Sequence, residues 1–265
     1  MNLALNLPPP LEADYIAAAN RLKEVSLVDE GEEFDAIVTN KVEVAQVAAQ
    51  QKLHVLLHNR EETDISSVNA TQQEQGGIFM PAHSWRFRPD VQAVIRNHDV
   101  GNLGDPGLVR IHRWSTDHIS SVDASTILPE IDLILWIFGK PHETAYVVGR
   151  GNNFLQVHLG FADDGMALVD YAWGVPAKYD SFTLVGGDGA AYADDHHNMN
   201  LLITDSPIQA IKTGQGTHHI YGLLQEFVTA ITEARGPAVT AEDALLALKT
   251  SQSAIDCIVP AEALK

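Results

Sequence analysis

Residues 123–139, DASTILPEIDLILWIFG, constrain the fold of this chain more than any other stretch. From Ile131 to Phe138 the apolar side chains recur at helical spacing, and Gly139 follows where a helix ends in a left-handed residue. The pattern therefore predicts a buried helix that is closed by Gly139. Such a helix by itself identifies only an element of the core.

Composition narrows the class of protein. At 265 residues and 45% hydrophobic content, the chain can bury the core of one large domain or two small ones. A run of about 18 apolar residues is lacking, so no transmembrane helix is expected. The formal charge of −18 disfavours direct binding to nucleic acid or anionic lipid. A single cysteine, Cys257, and a first segment without a basic region predict a cytoplasmic protein.

The start of the chain has the pattern of a strand, a helix and a second strand, at residues 2–7, 11–22 and 24–29. A dinucleotide-binding fold carries a glycine-rich turn after its first strand, so that backbone amides can hold the pyrophosphate. Residues 6–12 read NLPPPLE instead. Proline has no amide proton, and the usual phosphate-binding turn is therefore not expected here.

Six segments, in chain order, resemble the glucose-fructose oxidoreductase and inositol dehydrogenase family (Gfo/Idh/MocA). Residues 34–40 resemble its D-A-V-x-I-x-T-P segment, and residues 53–60 its K-H-V-L-C-E-K-P segment. Residues 78–87 resemble its strand and loop ending in R-R-F, and residues 102–106 its G-x-L-G-x-P turn. Residues 123–139 resemble D-L-G-x-H-D-I-D-L-L-x-W-L-F-G, and residues 237–254 the closing P-x-V-x-x-E-D-x-L-x-A-L pattern.

The resemblance implies an α/β domain followed by an α+β domain. The first, residues 1–106, would be a truncated Rossmann-like domain with a parallel sheet, since residues 30–33 are too few for a further helix and strand. The second, residues 107–265, would hold an open, mostly antiparallel sheet covered by helices on one face, with terminal helices at 218–258 packing back. Such sheets in the family often form subunit interfaces, so a homo-oligomer is implied.

The catalytic positions of the family have changed. Carried over by alignment, its lysine, aspartate and histidine correspond to Asn59, Ser125 and Pro129. Pro129 has no side-chain group that can transfer a proton, so the acid/base step of alcohol oxidation lacks its usual agent. His58 and His83 are the candidate substitutes, and the alternative for each is a hydrogen-bonded structural histidine.

Further positions correspond to cofactor and ligand sites of the family. Asp29 ends the second strand, where an acidic residue would bind ribose hydroxyls, although a strand-end aspartate is also an ordinary turn residue. The candidate cofactor-binding positions are Leu7, Asp29, Thr39, Asn40 and His58, and the candidate ligand cleft is His83, Trp85 and Arg86. Arg86 would either clamp an anionic ligand or form an ion pair that fixes its loop. Trp85 would either stack on a sugar ring or pack.

No metal site is predicted. The densest histidine groups, residues 194–197 and 218–219, are adjacent residues that point apart on one element and lack a ligand spacing. No resident cofactor is predicted either, and NAD or NADP is the cofactor that an active enzyme of this kind would use.

Three functional hypotheses follow. The leading one is a catalytically degenerate homologue of the oxidoreductases, acting as a small-molecule sensor or as a regulatory or partner subunit. The alternative is an active NAD(P)-dependent oxidoreductase on a sugar, polyol or related hydroxy compound, with a substitute base. The third is an interaction module whose cleft is vestigial.

Overall fold

The computed structural model describes residues 1–29, 31–58, 65–150, 152–176, 178–194, 199–202, 209–212 and 218–260. Its helices are α1 (Pro9–Ala19), α2 (Val42–Gln50), α3 (Ile65–Gln75), α4 (Pro89–Asp99), α5 (Ala124–Phe138), α6 (His218–Thr232) and α7 (Ala241–Asp256). Its strands are β1 (Asn2–Asn6), β2 (Ser26–Leu27), β3 (Ala36–Thr39), β4 (His54–Leu57), β5 (Phe79–Pro81), β6 (Pro106–Trp114), β7 (Thr144–Arg150), β8 (Phe154–Gly160), β9 (Met166–Ala172), β10 (Tyr179–Gly186), β11 (Ala190–Asp194), β12 (Met199–Leu202), β13 (Gln209–Lys212) and β14 (Ile258–Pro260).

The chain divides into two compact units. The first unit is Met1–Arg88 with Thr217–Leu248, and the second is Pro89–Gly216 with Lys249–Lys265. The domain bounds expected from the sequence, 1–106 and 107–265, differ from these units in the assignment of residues 89–106 and 217–248. Helix α6 packs on α1, and both belong to the first unit.

The described part of the first unit contains a five-stranded parallel sheet in the order β2-β1-β3-β4-β5. Strand β2 lies on one side of β1, and β3, β4 and β5 follow on its other side. The direction in which strands are added therefore reverses between β1 and β3. Helices α1 and α6 bury one face around Leu3, Tyr15 and Phe227. Helices α2 and α3 bury the other face around Ala48 and Val68. This arrangement confirms the predicted Rossmann-like architecture.

The connection from β2 to β3 is short. Among its described residues, 28–29 and 31–35, there is no helix or strand. A full Rossmann half would have a crossover helix and a third strand there. The truncation expected from the sequence is therefore present in the fold.

The second unit is built on a seven-stranded sheet, counted over the described residues, in the order β11-β10-β6-β9-β8-β7-β14. Its β6/β9 and β7/β14 pairs are parallel, and its other four pairs are antiparallel. Helix α5 packs on β6. The mostly antiparallel sheet with a helix on one face is confirmed.

Helix α5 forms as its sequence predicts. The Asp123 carboxylate accepts a hydrogen bond from the Thr126 amide at 3.0 Å, and the Thr126 hydroxyl accepts one from the Asp123 amide at 3.3 Å. The helix ends at Gly139, whose φ of 63° is left-handed. Pro129 lies inside the helix and cannot donate the hydrogen bond that would pair with the Ser125 carbonyl.

Candidate functional site

The first unit brings polar side chains together at the carboxyl edge of its sheet. Asn6 pairs in register with Thr39, and the His58 amide donates to the Thr39 carbonyl at 2.8 Å. Strands β1, β3 and β4 are parallel, so their carboxyl ends share one edge. In open α/β sheets, ligands bind in the crevice at this edge where the strand order reverses.

The start of α1 faces the same edge, but it offers few hydrogen-bond donors. Pro8 is the N-cap residue, and Pro9 and Pro10 are the first two helical residues. Of residues 8–11, all in the described part of the chain, Leu11 alone has an amide proton. The next amide, that of Glu12, already donates to the Pro8 carbonyl at 2.9 Å. The Glu12 carboxylate in this turn adds a negative charge where phosphate binding needs positive potential.

A pocket of about 350 Å³ lies beside the ends of β1 and β2. It is lined by four apolar side chains and three carboxylates: Leu5, Ile16, Leu27, Val28, Glu12, Asp29 and Glu32. Asp29 follows β2 and lines this pocket, and its role in ribose recognition stays a prediction. Its carboxylate neighbours can accept hydrogen bonds from hydroxyl groups but repel a pyrophosphate. The residues of this edge do not fit a nicotinamide dinucleotide.

His58 is held by a tyrosine. The hydroxyl of Tyr15, in α1, lies 2.8 Å from His58 Nδ1, and the two rings meet edge to face with their centroids 5.7 Å apart. Tyr15 is fully buried, and burial raises the pKa of its phenol. This pair was not predicted from the sequence. The feature that could have indicated it is a tyrosine on the buried side of an apolar helix, because a buried tyrosine hydroxyl needs a hydrogen-bond partner.

Three other predicted cofactor positions have different surroundings. Leu7 packs against the core cluster around α1 and α6. Thr39 is fully buried, and its hydroxyl accepts from the Lys41 amide at 3.1 Å and donates to Asn6 Oδ1 at 3.5 Å. Asn40 Oδ1 is buried without a hydrogen-bond partner among the described residues. Asn40 follows Thr39, which pairs with Leu57, so Asn40 and His58 hold neighbouring positions at the edge.

His83, Trp85 and Arg86 lie in and before the short 3-10 helix Ser84–Phe87 of the first unit. His83 is buried, and the Trp85 ring lies 4.4 Å from the Arg88 guanidinium carbon. Arg86 is 3% exposed and donates to the Ala238 carbonyl at 3.3 Å and to Asp243 at 3.4 Å. This arrangement is the ion pair that the sequence analysis gave as the alternative to an anion clamp.

The positions that correspond to the family's catalytic aspartate and histidine lie on α5, in the second unit. The Ser125 hydroxyl donates to Asp123 Oδ1 at 2.7 Å, and this hydrogen bond is the main reason why the pKa of Asp123 is lowered. Ser125 is therefore part of the helix cap. Pro129 occupies the histidine position, and Asn59 lies outside the described residues.

The same helix carries a buried ionisable group that sequence reasoning missed. Glu130 is 2% exposed, accepts from the Tyr171 hydroxyl at 3.2 Å and lies 3.6 Å from Arg113 Nε. Arg113 in turn donates to both oxygens of Asp180, at 2.7 and 2.8 Å. Burial raises the pKa of Glu130 to about 7, and the charge of Arg113 opposes this rise. The sequence feature that could have indicated this buried group is an acidic residue within an apolar helical segment.

A larger pocket, of about 660 Å³, opens on the second unit's sheet. Trp114 and Phe154 contribute aromatic walls. Asp170 accepts from Gln156 at 2.6 Å and from Arg110 at 3.3 Å, and it lies 3.3 Å from His112 Nε2. These polar groups therefore bind one another across the sheet face.

Among the described residues, no group of three metal-ligating side chains lies together, and no helix is long and apolar enough to cross a membrane. His196 and His197, from the densest histidine group, lie outside the described residues.

No protein-family model matches the sequence, and no curated protein matches it. Solved structures do match over nearly the whole chain. A myo-inositol dehydrogenase from Corynebacterium glutamicum matches with a TM-score of 0.80 and 14% identity, over 97% of this chain and 96% of that one. The scyllo-inositol dehydrogenase from Lactobacillus casei, with bound NAD(H) and scyllo-inositol, matches with a TM-score of 0.79 and 14% identity over the same shares.

GenD2 from gentamicin A biosynthesis, in complex with NAD, matches with a TM-score of 0.75 and 15% identity, over 97% of this chain and 93% of that one. At these identities the similarity establishes the fold. The chain has the fold of the Gfo/Idh/MocA dehydrogenases, a Rossmann-like unit and a second unit built on a mixed sheet.

Proposed function

We propose that this protein is a catalytically degenerate homologue of the dehydrogenases. It binds a small polyol or sugar-like compound at the carboxyl edge of the parallel sheet, without a nicotinamide dinucleotide, and acts as a sensor or as a regulatory or partner subunit. The observation that carries this proposal is the start of α1, where Pro8, Pro9 and Pro10 remove amide donors and Glu12 adds a carboxylate.

The catalytic positions support the same conclusion. Ser125 is engaged in capping α5, and Pro129 offers no proton-transferring group. Loss of acid/base assistance alone slows such reactions by about two to four orders of magnitude. A binding protein can tolerate these changes because its ligand need not react.

The ligand class follows from the groups at the edge. Asn40 carries a side-chain oxygen without a hydrogen-bond partner among the described residues, and Asp29 can accept hydrogen bonds from a pair of hydroxyls. The structurally similar Lactobacillus casei enzyme binds scyllo-inositol, a compound with this chemistry.

The alternative function is an NAD(P)-dependent oxidoreductase on a sugar, polyol or related hydroxy compound, with His58 or His83 as the base. The observation that favours it is the presence of His58 at the edge where the strand order reverses.

Cofactor titration separates the two functions. NADH and NADPH are titrated into the protein by calorimetry, with the Lactobacillus casei scyllo-inositol dehydrogenase as a positive control. The degenerate homologue gives no binding up to about millimolar cofactor, whereas an enzyme binds at about micromolar levels. Thermal shift with myo-inositol and scyllo-inositol then tests the ligand class, since binding to the native state alone raises its melting temperature. Micromolar binding of NADH would contradict the proposal.

We also propose a cytoplasmic homo-oligomer that associates through the second unit's sheet. Five large apolar side chains on its strands are exposed, and they are Trp114 (37%), Tyr146 (47%), Phe154 (50%), Met166 (56%) and Tyr192 (79%). Exposed apolar area of this kind marks interaction sites. Light scattering after size-exclusion chromatography is expected to show an oligomer for the native protein and a smaller species for Phe154→Glu. A monomeric native protein would contradict this assembly.

A further inference from the structure

A buried carboxyl group, a phenol and a backbone carbonyl meet between α5 and β9 of the second unit. The Tyr171 hydroxyl lies 3.3 Å from the Ile127 carbonyl oxygen and 3.2 Å from Glu130 Oε2. Tyr171 is 3% exposed and Glu130 is 2% exposed, so these groups must satisfy one another without bulk water. We call the three groups the α5 clasp.

The α5 clasp needs two hydrogen-bond protons. A backbone carbonyl can only accept, and an ionised carboxylate can only accept as well. The phenol brings one proton, so with an ionised Glu130 its two acceptors would share that single proton. A protonated Glu130 supplies the second one, because its O–H donates to the Tyr171 oxygen while the Tyr171 hydroxyl donates to the Ile127 carbonyl.

The charged groups around Glu130 favour its neutral form. On β6 and β10, Arg113 donates to both oxygens of Asp180 at 2.7 and 2.8 Å. Arg113 Nε lies 3.6 Å from Glu130, beyond hydrogen-bond distance, and Lys178 Nζ lies 4.0 Å from Asp180. Asp132, also buried on α5, is two positions along and on the other side of the helix. An ionised Glu130 would therefore add a buried negative charge beside an ion pair that is already balanced.

We propose that the α5 clasp is a pH-sensitive device, in which a protonated Glu130 fastens α5 to the sheet through Tyr171. Loss of the proton turns the Tyr171 hydroxyl from the Ile127 carbonyl to the Glu130 carboxylate and leaves a buried charge. The attachment of α5 to the sheet therefore weakens as pH rises. The device lies within the second unit and does not depend on the function proposed above.

The pH range follows from the two states of the helix. Burial raises the pKa of Glu130 from 4.5 to about 7, so a closed α5 retains a proton that an opened α5 releases. Opening of α5 therefore becomes easier as pH rises from about 4.5 to about 7, by about tenfold per pH unit, and changes little above that range.

Infrared difference spectra test the protonation directly. A protonated carboxyl group has a carbonyl band that a carboxylate lacks, and the difference between the native protein and Glu130→Gln isolates Glu130. The native protein is expected to show this band at about pH 6 and to lose it by about pH 9. Tyr171→Phe removes the acceptor of the Glu130 proton and should lower the pH of half-loss by about one unit, the tenfold effect of one neutral hydrogen bond. The control Tyr146→Phe, at an exposed tyrosine of the same sheet, should leave it unchanged.

Hydrogen exchange of the α5 backbone amides tests the attachment of the helix. After correction for the intrinsic exchange rate, the protection factors of residues 131–135 are expected to fall by about a hundredfold between about pH 5 and about pH 7 in the native protein. In Glu130→Gln, which has no ionisable proton at this position, they should stay nearly constant.

Absence of the protonated carboxyl band at about pH 6 would overturn the protonation of Glu130, and this measurement requires only the native protein and the conservative glutamine variant. A higher pH of half-loss in folded Tyr171→Phe would mean that Tyr171 donates to a carboxylate, and would overturn the direction of the hydrogen bond. Equal protection of α5 at both pH values in the native protein would overturn the device. None of these measurements involves a ligand or cofactor, so their outcome is separate from that of the proposed function.

Discussion

Replacing Glu130 by glutamine is expected to change how the stability of the protein depends on pH. Glu130 is 2% exposed on α5, and burial raises its pKa from the ordinary value of 4.5 to about 7. Between these two pH values the folded state holds a proton that the unfolded state has already released. The contribution of Glu130 to stability therefore falls as pH rises through this interval.

The magnitude follows from the two pKa values. One pKa unit is worth about 1.36 kcal/mol, so the difference between 4.5 and about 7 corresponds to about 3 kcal/mol. The glutamine side chain would keep an oxygen to accept from the Tyr171 hydroxyl but would carry no ionisable proton. The unfolding free energy of Glu130→Gln should therefore decline less between pH 4.5 and 7.5 than that of the native protein, by about 3 kcal/mol.

The assay is urea unfolding followed by tryptophan fluorescence at both pH values. Three of the four tryptophans, Trp114, Trp136 and Trp173, belong to the second unit, so the signal reports on the unit that holds Glu130. Glu143→Gln, which removes an exposed carboxyl from the same unit, is the matched control and should follow the native profile. Parallel profiles for the native protein and Glu130→Gln would refute the reasoning.

Three further predictions concern the helix ends. Asp123→Ala removes the cap of α5 and should lower the unfolding free energy by about 1 kcal/mol, measured by urea unfolding. Gly139→Ala should lower the unfolding free energy by about 1 kcal/mol, because the φ of Gly139 is 63°. The control Gly187→Ala, at a position with open space and no left-handed φ, should leave the unfolding free energy nearly unchanged. Equal losses in the two variants would contradict the argument. Pro10→Ala combined with Glu12→Gln restores an amide donor and removes a charge at α1. Calorimetry should then detect NADH binding below about millimolar cofactor, where the native protein shows none, and the absence of detectable binding would count against the argument from α1.

Local patterns in the sequence were sufficient for much of the fold. Helix α5 has its cap, its apolar periodicity and its closing glycine within residues 123–139, so its bounds could be predicted. The loss of donors at Pro8, Pro9 and Pro10 is likewise local, because proline lacks an amide proton wherever it lies.

The interactions that the sequence did not reveal depend on strand register and on helix packing. Asp180 and Tyr171 lie in register on either side of Arg113, on β10 and β9, and Glu130 meets them from α5. The contact of Tyr15 with His58 depends on how α1 lies on the sheet. Arg86 also gained its partners, Ala238 and Asp243, from a segment 152 to 157 residues away. These separations exceed the range of any local pattern.

The charge balance at α1 supports the proposed function on energetic grounds. A charge-assisted hydrogen bond contributes about 1.5–3 kcal/mol, and the dipole of a helix start contributes about 0.3–1 kcal/mol to anion binding. About 4.1 kcal/mol separates a micromolar from a millimolar dissociation constant. The amides that Pro9 and Pro10 lack, together with repulsion from the Glu12 carboxylate, are enough to cover that difference. Asn6 and Thr39 at the same edge carry no charge, and they hydrogen-bond to each other. Binding of a hydroxyl compound does not depend on the missing phosphate contacts, and recognition of such a compound is the function that we propose for this edge.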